Sequence, residues 1–184
     1  MSGKSLDLVH LYKEGHFVYG IEGVPLAVEE MYKTANLEFT KKYCPEIDGF
    51  VYSTLDEKLK VFSCDFFKMK PELVEKLDAV FDRGAFEAIF ESDRAQYVQL
   101  IMQMLKEDFR YILNVYEYED AIFKGPPRAC KKDEVLQLFN GHKFNGKETK
   151  ATILSEEDFS QYGKDRWNIQ DPNMKKFIYA IQAE

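Results

Sequence analysis

The first third of the chain switches between two hydrophobic repeats, one of helical period and one of strand period. Apolar residues recur at helical spacing from Ser5 to Glu14, and Gly15 follows as a stop signal. Phe17 to Glu22 has the apolar and β-branched character of a strand. Pro25 stands where a helix can begin, and a helical repeat continues through Asn36. The pattern predicts helix, strand, helix.

The middle of the chain reads mainly as strands. Phe50 to Thr54 and Lys58 to Cys64 alternate around a polar turn at Asp56-Glu57, which predicts a hairpin. Pro71 to Lys76 is short and helical, and it leads into the apolar run Leu77 to Phe81. A short apolar run that opens abruptly onto charged residues is typical of a buried parallel strand. We therefore expect Leu77 to Phe81 to be a buried strand.

The last part of the chain continues the alternation. An amphipathic helix is predicted over Asp93 to Lys106, a strand over Phe109 to Tyr118 and, after the Gly125-Pro126-Pro127 break, a helix over Lys132 to Phe139. Two late strands are expected around Glu148 to Leu154 and Lys176 to Ala183. Alternating helices and strands predict an α/β fold, a mostly parallel, doubly wound sheet with helices on both faces and an antiparallel final pair. We expect one domain over residues 1–184.

Composition excludes several classes of protein. With 184 residues and 45% hydrophobic content, the chain is long enough for one domain with a substantial core. The formal charge of -7 argues against a nucleic-acid or membrane-surface binder, which needs surplus Lys and Arg. No apolar run approaches the roughly 20 residues that span a bilayer, and the first residues do not resemble a signal peptide. We expect a soluble cytoplasmic protein.

Cysteines and histidines show no metal-ligand pattern. Cys44, Cys64 and Cys130 are odd in number and widely spaced, which indicates free thiols in a reducing compartment. The three histidines are scattered along the chain. The spacing therefore predicts no metal site.

In a doubly wound sheet, ligands bind beyond the carboxyl ends of the strands, so the residues that end the strands are the site candidates. Glu22 can accept hydrogen bonds from both hydroxyls of an adenosine ribose, or it can be a charge at a helix N-terminus or a solvated loop carboxylate. Asp65 and Phe66 can meet an adenine base, or they can cap a turn and pack in the core. Arg83 can bind an anionic group in bidentate fashion, or it can form a structural pair with Asp82 or Glu87.

A second kind of site is suggested by Gly3-Lys4-Ser5, which matches the tail of a phosphate-binding loop. The full loop requires a glycine four residues before Gly3 and a strand before that, and the sequence supplies neither. Leu77 to Asp82 has the form of an apolar strand ending in a magnesium-binding aspartate. A phosphate-loop nucleotide enzyme therefore remains a minor alternative.

Several segments together resemble one enzyme family. These are Gly3-Lys4-Ser5 leading into a helix, GHFVYGIEGVPLAVEEMY, SCDFFKM, LDAVFDRGAFEAI with Asp93-Arg94 and Tyr97, and KGPP. In this order and spacing they resemble the thiopurine S-methyltransferase family. The resemblance covers essentially the whole chain and implies the Rossmann-like fold of class I S-adenosylmethionine-dependent methyltransferases, with S-adenosyl-L-methionine as cofactor. Halide and thiol methyltransferases share much of the pattern.

The resemblance assigns roles to individual positions. Glu22 would hold the ribose of S-adenosylmethionine, Asp65 and Phe66 would flank its adenine, and Arg83 would lie near the cofactor and the acceptor sulfur. Two further cofactor-binding positions come from a family segment of proline, leucine, cysteine, glycine and lysine. Met1 falls on its leucine, whose backbone lies near the methionine part of the cofactor, and Gly3 falls on its glycine.

The implied reaction is direct displacement. A small thiol or thiopurine-like acceptor attacks the methyl carbon of the sulfonium and leaves S-adenosylhomocysteine. Because a thiolate is already nucleophilic and the leaving group is a neutral thioether, alignment and exclusion of water would supply most of the catalysis. No residue is assigned as a certain acid or base. The expected partner is a small molecule, and the expected state is a monomer.

The sequence departs from the pattern of the thiopurine S-methyltransferase family at two places. The family begins with some sixty more residues that include a first, central strand, so this chain is expected to be an N-terminally shortened version that lacks that strand. Near the C-terminus, Lys164 and Arg166 flank Trp167 without matching the family's basic acceptor residue. We therefore carry a methyltransferase, a non-catalytic methyltransferase-like protein and a phosphate-loop enzyme as hypotheses.

Overall fold

The structure is a computed structural model that describes residues 2–144 and 146–184. The chain divides into two compact units, one ending at Val74 and the other beginning at Glu75. Each unit contains its own β-sheet. Among the described residues, no helix is both long enough and apolar enough to cross a membrane.

The first unit has two helices and four strands. They are α1 (Leu6–Lys13), β1 (Val18–Ile21), α2 (Pro25–Thr34), β2 (Phe39–Cys44), β3 (Gly49–Thr54) and β4 (Leu59–Ser63). The strand order is β1-β4-β3-β2, in which β1 pairs parallel with β4 and the other pairs are antiparallel. The carboxyl ends of β1 and β4 therefore lie side by side.

Local sequence signals explain where these helices begin, and one tyrosine joins helix to sheet. The Ser5 hydroxyl caps α1 by accepting a hydrogen bond from the Asp7 N–H, and Pro25 occupies the first turn of α2, where its missing N–H costs nothing. Tyr32 of α2 is fully buried, and its hydroxyl donates toward the carbonyls of Tyr52 (3.2 Å) and Leu59 (3.0 Å). One side chain thus connects α2 to both β3 and β4.

The described residues of the second unit form three α-helices and five strands. They are β5 (Leu77–Arg83), α3 (Glu91–Met104), β6 (Leu105–Glu117), α4 (Lys132–Phe139), β7 (Lys143–Phe144), β8 (Lys147–Asp158), α5 (Ser160–Trp167) and β9 (Lys175–Ala183). The strand order is β5-β6-β9-β8-β7, with β5 parallel to β6 and the remaining pairs antiparallel. The predicted antiparallel pair of late strands is confirmed as β8 and β9.

The prediction that Leu77 to Phe81 is a buried strand is right about the strand and wrong about the burial. Of the seven residues of β5 only Asp82 is buried, and Phe81 is 51% exposed. The physical reason is position: β5 is the outermost strand of its sheet, and among the described residues it pairs only with β6. An outer strand keeps one edge, and here much of its surface, open to solvent.

The other expected elements are present within a few residues, and three elements were not predicted. The unpredicted ones are β2, β7 and α5. β1 pairs parallel with β4 and β5 with β6, while the rest of the described pairing is antiparallel, so both sheets are mixed rather than mostly parallel.

Replacement of Tyr32 by phenylalanine tests the link between α2 and the sheet. We expect Tyr32→Phe to lower the free energy of unfolding by about 1–3 kcal/mol, because two buried carbonyls lose a hydrogen-bond donor. Urea unfolding followed by circular dichroism measures the change. Tyr43→Phe is the matched control, since Tyr43 is 58% exposed and its hydroxyl donates to the exposed Asp48, and it should change stability by less than about 0.5 kcal/mol. Equal losses in the two variants would contradict this role.

Candidate functional site

Glu22 directly follows β1 and is held in place by backbone groups. Its carboxylate is 9% exposed and accepts hydrogen bonds from the N–H of Gly3 (2.7 Å, at Oε2) and of Val24 (3.1 Å, at Oε1). Burial alone would raise the pKa of this carboxyl, but the hydrogen bonds from Gly3 and Val24 are among the contributions that leave it below its ordinary value. The structure therefore brings Glu22 and Gly3 together.

The residues after Gly3 are engaged within the first unit. The Lys4 ammonium pairs with Glu30, and the Ser5 hydroxyl caps α1. In a phosphate-binding loop, this lysine and this hydroxyl would instead face phosphate and magnesium. These contacts disfavour the phosphate-loop hypothesis.

Asp65 and Phe66 follow β4, beside the end of β1. The Glu22 N–H donates to the Phe62 carbonyl (2.9 Å), which places the residues after the two parallel strands at one edge of the sheet. The Asp65 side chain is exposed and accepts from the Phe67 N–H (3.0 Å), capping a single 3₁₀ turn. Phe66 is 7% exposed, and its ring meets Phe67 edge-on. Asp65 thus caps a turn and Phe66 is buried, which are the structural alternatives to contact with an adenine base.

Met1 lies outside the described residues. Among the residues from 2 to 144 and from 146 onward, no cluster of three or more His, Cys, Asp or Glu side chains is arranged to hold a metal ion.

In the second unit, β5 ends in a turn anchored by a buried carboxylate. Asp82 is 3% exposed, and its Oδ2 accepts from the hydroxyls of Tyr97 (2.8 Å) and Tyr111 (2.7 Å). Its Oδ1 accepts from the Phe86 N–H (3.1 Å). Burial raises the pKa of Asp82, and these hydrogen bonds oppose the rise. Asp82 therefore ties the turn to α3 and β6.

The turn after Asp82 places Arg83 at the solvent-facing end of the strand. Gly84 follows with φ of +91°, a backbone conformation that residues other than glycine rarely adopt. Arg83 is exposed, and its charge partly offsets the rise that burial causes in the pKa of the nearby Glu87 carboxyl. The Asp82 carboxylate, by contrast, is buried and accepts hydrogen bonds from Tyr97, Tyr111 and the Phe86 N–H.

Two buried polar atoms near this turn were not singled out from the sequence. Glu87 is 6% exposed and Asn114 is 7% exposed, yet Glu87 Oε2 and Asn114 Nδ2 have no hydrogen-bond partner among the described residues. Leaving such a group unpaired costs about 1–3 kcal/mol, and folded proteins contain few of them. The only sequence signal for Glu87 is one carboxylate inside the apolar run Phe86 to Phe90.

Comparison with solved structures shows the class of fold that the chain adopts. A Burkholderia thailandensis 1,6-didemethyltoxoflavin-N1-methyltransferase, solved with S-adenosylhomocysteine, is similar over 100% of this chain and 68% of its own, with a TM-score of 0.58 and 13% identity. A Haemonchus contortus phosphoethanolamine N-methyltransferase, also with S-adenosylhomocysteine, matches over 100% of this chain and 38% of its own, with a TM-score of 0.63 and 10% identity. The fold is that of class I S-adenosylmethionine-dependent methyltransferases.

Sequence comparison narrows the class to one family. The model of the thiopurine S-methyltransferase family matches residues 1–175, and the chain belongs to that family. A probable thiopurine S-methyltransferase of Danio rerio is 30% identical over 142 residues, which is 77% of this chain and 61% of the relative. The thiopurine S-methyltransferase of Bos taurus is 28% identical over 140 residues, or 76% of this chain and 57% of the relative. The chain therefore spans about three fifths of the length of these two relatives.

The buried carboxyl of Glu87 makes the folding stability of the chain depend on pH. Burial is the main reason that the pKa of Glu87 rises from 4.5 to about 8, with a further increase from Asp82. Below pH 4.5 the carboxyl is protonated in both the folded and the unfolded chain. Between pH 4.5 and about 8 only the unfolded chain ionises, so folding loses up to about 1.4 kcal/mol per pH unit.

We therefore expect Glu87→Gln to melt at a higher temperature than the parent chain at pH 8, with a difference that shrinks toward zero near pH 5. Calorimetric melting at several pH values measures it. Glu91→Gln, at an exposed carboxylate four residues away, serves as the control and should show no such trend. A melting difference for Glu87→Gln that does not vary with pH would contradict a raised pKa.

Proposed function

We propose that this chain carries the cofactor- and acceptor-binding residues of an S-adenosylmethionine-dependent S-methyltransferase that acts on a small thiol or thiopurine-like acceptor. Membership of the thiopurine S-methyltransferase family and the class I fold support methyl transfer. We further propose that the chain is a monomeric, cytoplasmic, single-domain enzyme over residues 1–184. We propose no nucleic-acid or membrane partner, in keeping with the formal charge of -7.

One observation carries the cofactor assignment. Backbone N–H groups of Gly3 and Val24 fix the Glu22 carboxylate at the end of β1. A rigid carboxylate offers two acceptor oxygens, which match the two neighbouring hydroxyls of a ribose. In this fold, ligands bind beyond the strand ends, where Glu22 lies. Asp65 and Phe66, which follow the neighbouring strand, are proposed to flank the adenine, and Gly3 and Met1 to lie along the cofactor.

The chemistry asks little of the protein beyond alignment. The acceptor sulfur donates an electron pair to the methyl carbon, the new carbon–sulfur bond forms, and the bond to the sulfonium breaks to leave neutral S-adenosylhomocysteine. Arg83 is proposed to lie beside the acceptor, where its positive charge favours a thiolate over a thiol and so lowers the acceptor's pKa. No acid is required for the leaving group.

Binding of S-adenosylhomocysteine, measured by titration calorimetry, tests the cofactor assignment. We expect Glu22→Ala to weaken binding at least about 10-fold, because two hydrogen bonds to a charged acceptor are lost at about 1.5–3 kcal/mol each. Glu38→Ala, at an exposed carboxylate of the same unit, should bind as the parent chain does.

Unchanged binding by Glu22→Ala would contradict the ribose role. Binding of ATP but not of S-adenosylhomocysteine would favour the phosphate-loop hypothesis instead. Binding of S-adenosylhomocysteine without transfer of a methyl group to any thiol would favour a non-catalytic methyltransferase-like protein.

A further inference from the structure

Glu87 Oε2 and Asn114 Nδ2 are the strongest unexplained feature of the second unit. Both side chains are more than nine-tenths buried, and neither atom has a hydrogen-bond partner in the described part of the chain. One is an oxygen acceptor and the other is an N–H donor, so together they match a ligand edge that offers both a donor and an acceptor. Buried groups of this kind call for a specific explanation, and a bound ligand is one.

The sheet register places Asn114 beside the carboxyl end of β5, and ligands bind beyond such strand ends in this fold. Arg83 of β5 is the register partner of Asn114 of β6, and because the strands are parallel their side chains lie on the same face. Tyr116, two residues beyond Asn114, shares that face. The segment after the Pro126-Pro127 pair joins the backbone of Glu87 to the backbone of β6, since Arg128 N–H donates to the Glu87 carbonyl (2.7 Å) and Cys130 N–H to the Tyr116 carbonyl (2.8 Å).

Aromatic rings surround Tyr116. Its ring stacks on Phe159 (centroids 5.2 Å apart, planes at 24°) and meets Trp167 edge-on at 5.0 Å. Tyr162 packs against both Phe159 and Trp167 and is itself 49% exposed. Flat apolar rings next to a donor and an acceptor suit a planar heterocycle better than an aliphatic thiol.

Charged and titratable groups face Glu87 from several elements. Burial and Asp82 raise its pKa, and the guanidinium groups of Arg83 and Arg94 lower it, with the result at about 8. Burial is the main reason that the pKa values of Tyr116 and Cys130 are raised, and the Glu87 carboxyl adds to both rises. A carboxylate with a raised pKa is a stronger proton acceptor than an ordinary one, which suits a general base near neutral pH.

Resting on the proposed methyl transfer, we propose that Glu87 and Asn114 bind the nitrogen edge of a planar heterocyclic thione, and that Glu87 takes the ring N–H proton as the sulfur is methylated. The sulfur electron pair forms the bond to the methyl carbon, and the sulfonium leaves as S-adenosylhomocysteine. The ring nitrogen gives its proton to the Glu87 carboxylate, and its freed electron pair forms the C=N bond as C=S becomes C–S. The Asn114 amide donates to an acceptor on the same edge.

Two acceptors that differ at the nitrogen test this role. 2-Thiopyridone carries an N–H beside its C=S group, whereas thiophenol has no ring nitrogen. We expect Glu87→Gln to lower kcat/KM for 2-thiopyridone at least about 10-fold more than for thiophenol, since general-base catalysis contributes about 10²–10⁴-fold. In the parent chain, kcat/KM for 2-thiopyridone should rise with pH, and the half-maximal value should lie near pH 8. In Glu87→Gln this pH dependence should be absent.

Two further variants complete the test. Asn114→Leu should raise KM for 2-thiopyridone several-fold more than KM for thiophenol. Glu91→Gln, at an exposed carboxylate, should leave the kinetics with both acceptors as in the parent chain. Binding of S-adenosylhomocysteine by each variant, measured by calorimetry, shows whether the fold is intact.

Equal effects of Glu87→Gln on the two acceptors, or an unchanged pH midpoint, would overturn this inference while leaving the proposed methyltransferase intact. Loss of S-adenosylhomocysteine binding by Glu87→Gln would also overturn it, because the residue would then support the fold or the cofactor. The proposed function itself fails if the parent chain neither binds S-adenosylhomocysteine nor methylates either acceptor, and the inference falls with it.

Discussion

The second unit depends on a single buried carboxylate. Asp82 accepts one hydrogen bond from each of three elements: from Tyr97 of α3, from Tyr111 of β6 and from the Phe86 N–H of the turn that follows β5. Removing a carboxylate from water is costly, and hydrogen bonds that satisfy its oxygens offset that cost. Because β5 is the outer strand of its sheet, these bonds constrain its carboxyl end more than sheet pairing alone does. The geometry of Arg83 and Glu87, on either side of Gly84, follows from this anchor.

The first unit uses the same principle with backbone donors. Glu22 accepts from Gly3 and Val24, so the segment before α1 and the start of α2 are joined at one side chain. A strand-end carboxylate fixed by two N–H groups loses little further conformational entropy when a ligand binds. Asp65, by comparison, is exposed and caps its own turn. The two acidic residues that end neighbouring strands are thus held to different degrees.

Local sequence signals predicted the elements whose signals are strong. Ser5 and Pro25 mark the starts of α1 and α2, and the apolar repeats gave α3 and α4. Strand β2 was missed because its sequence, FTKKYC, carries Lys41 and Lys42 at its centre, one on each face, and lysines are common on outer strands. Helix α5 was missed because SQYGKDRW carries little apolar periodicity, and its Gly163 lies buried against Met174. Glu22, Asp65 and Arg83 were identified as strand-end residues, whereas Glu87 and Asn114 were not, because an isolated polar residue in an apolar run shows no period.

The positions of Arg83 and Glu87 depend on whether Asp82 holds the turn between them. Hydrogen–deuterium exchange of the Asp82→Asn variant, read peptide by peptide, measures this directly. An asparagine has one acceptor oxygen for the three donors, so we predict faster exchange across residues 84–90, including the Phe86 amide, with protection of β8 and β9 retained. Unchanged protection of residues 84–90 in a variant with altered Tyr97 and Tyr111 environments would contradict the account.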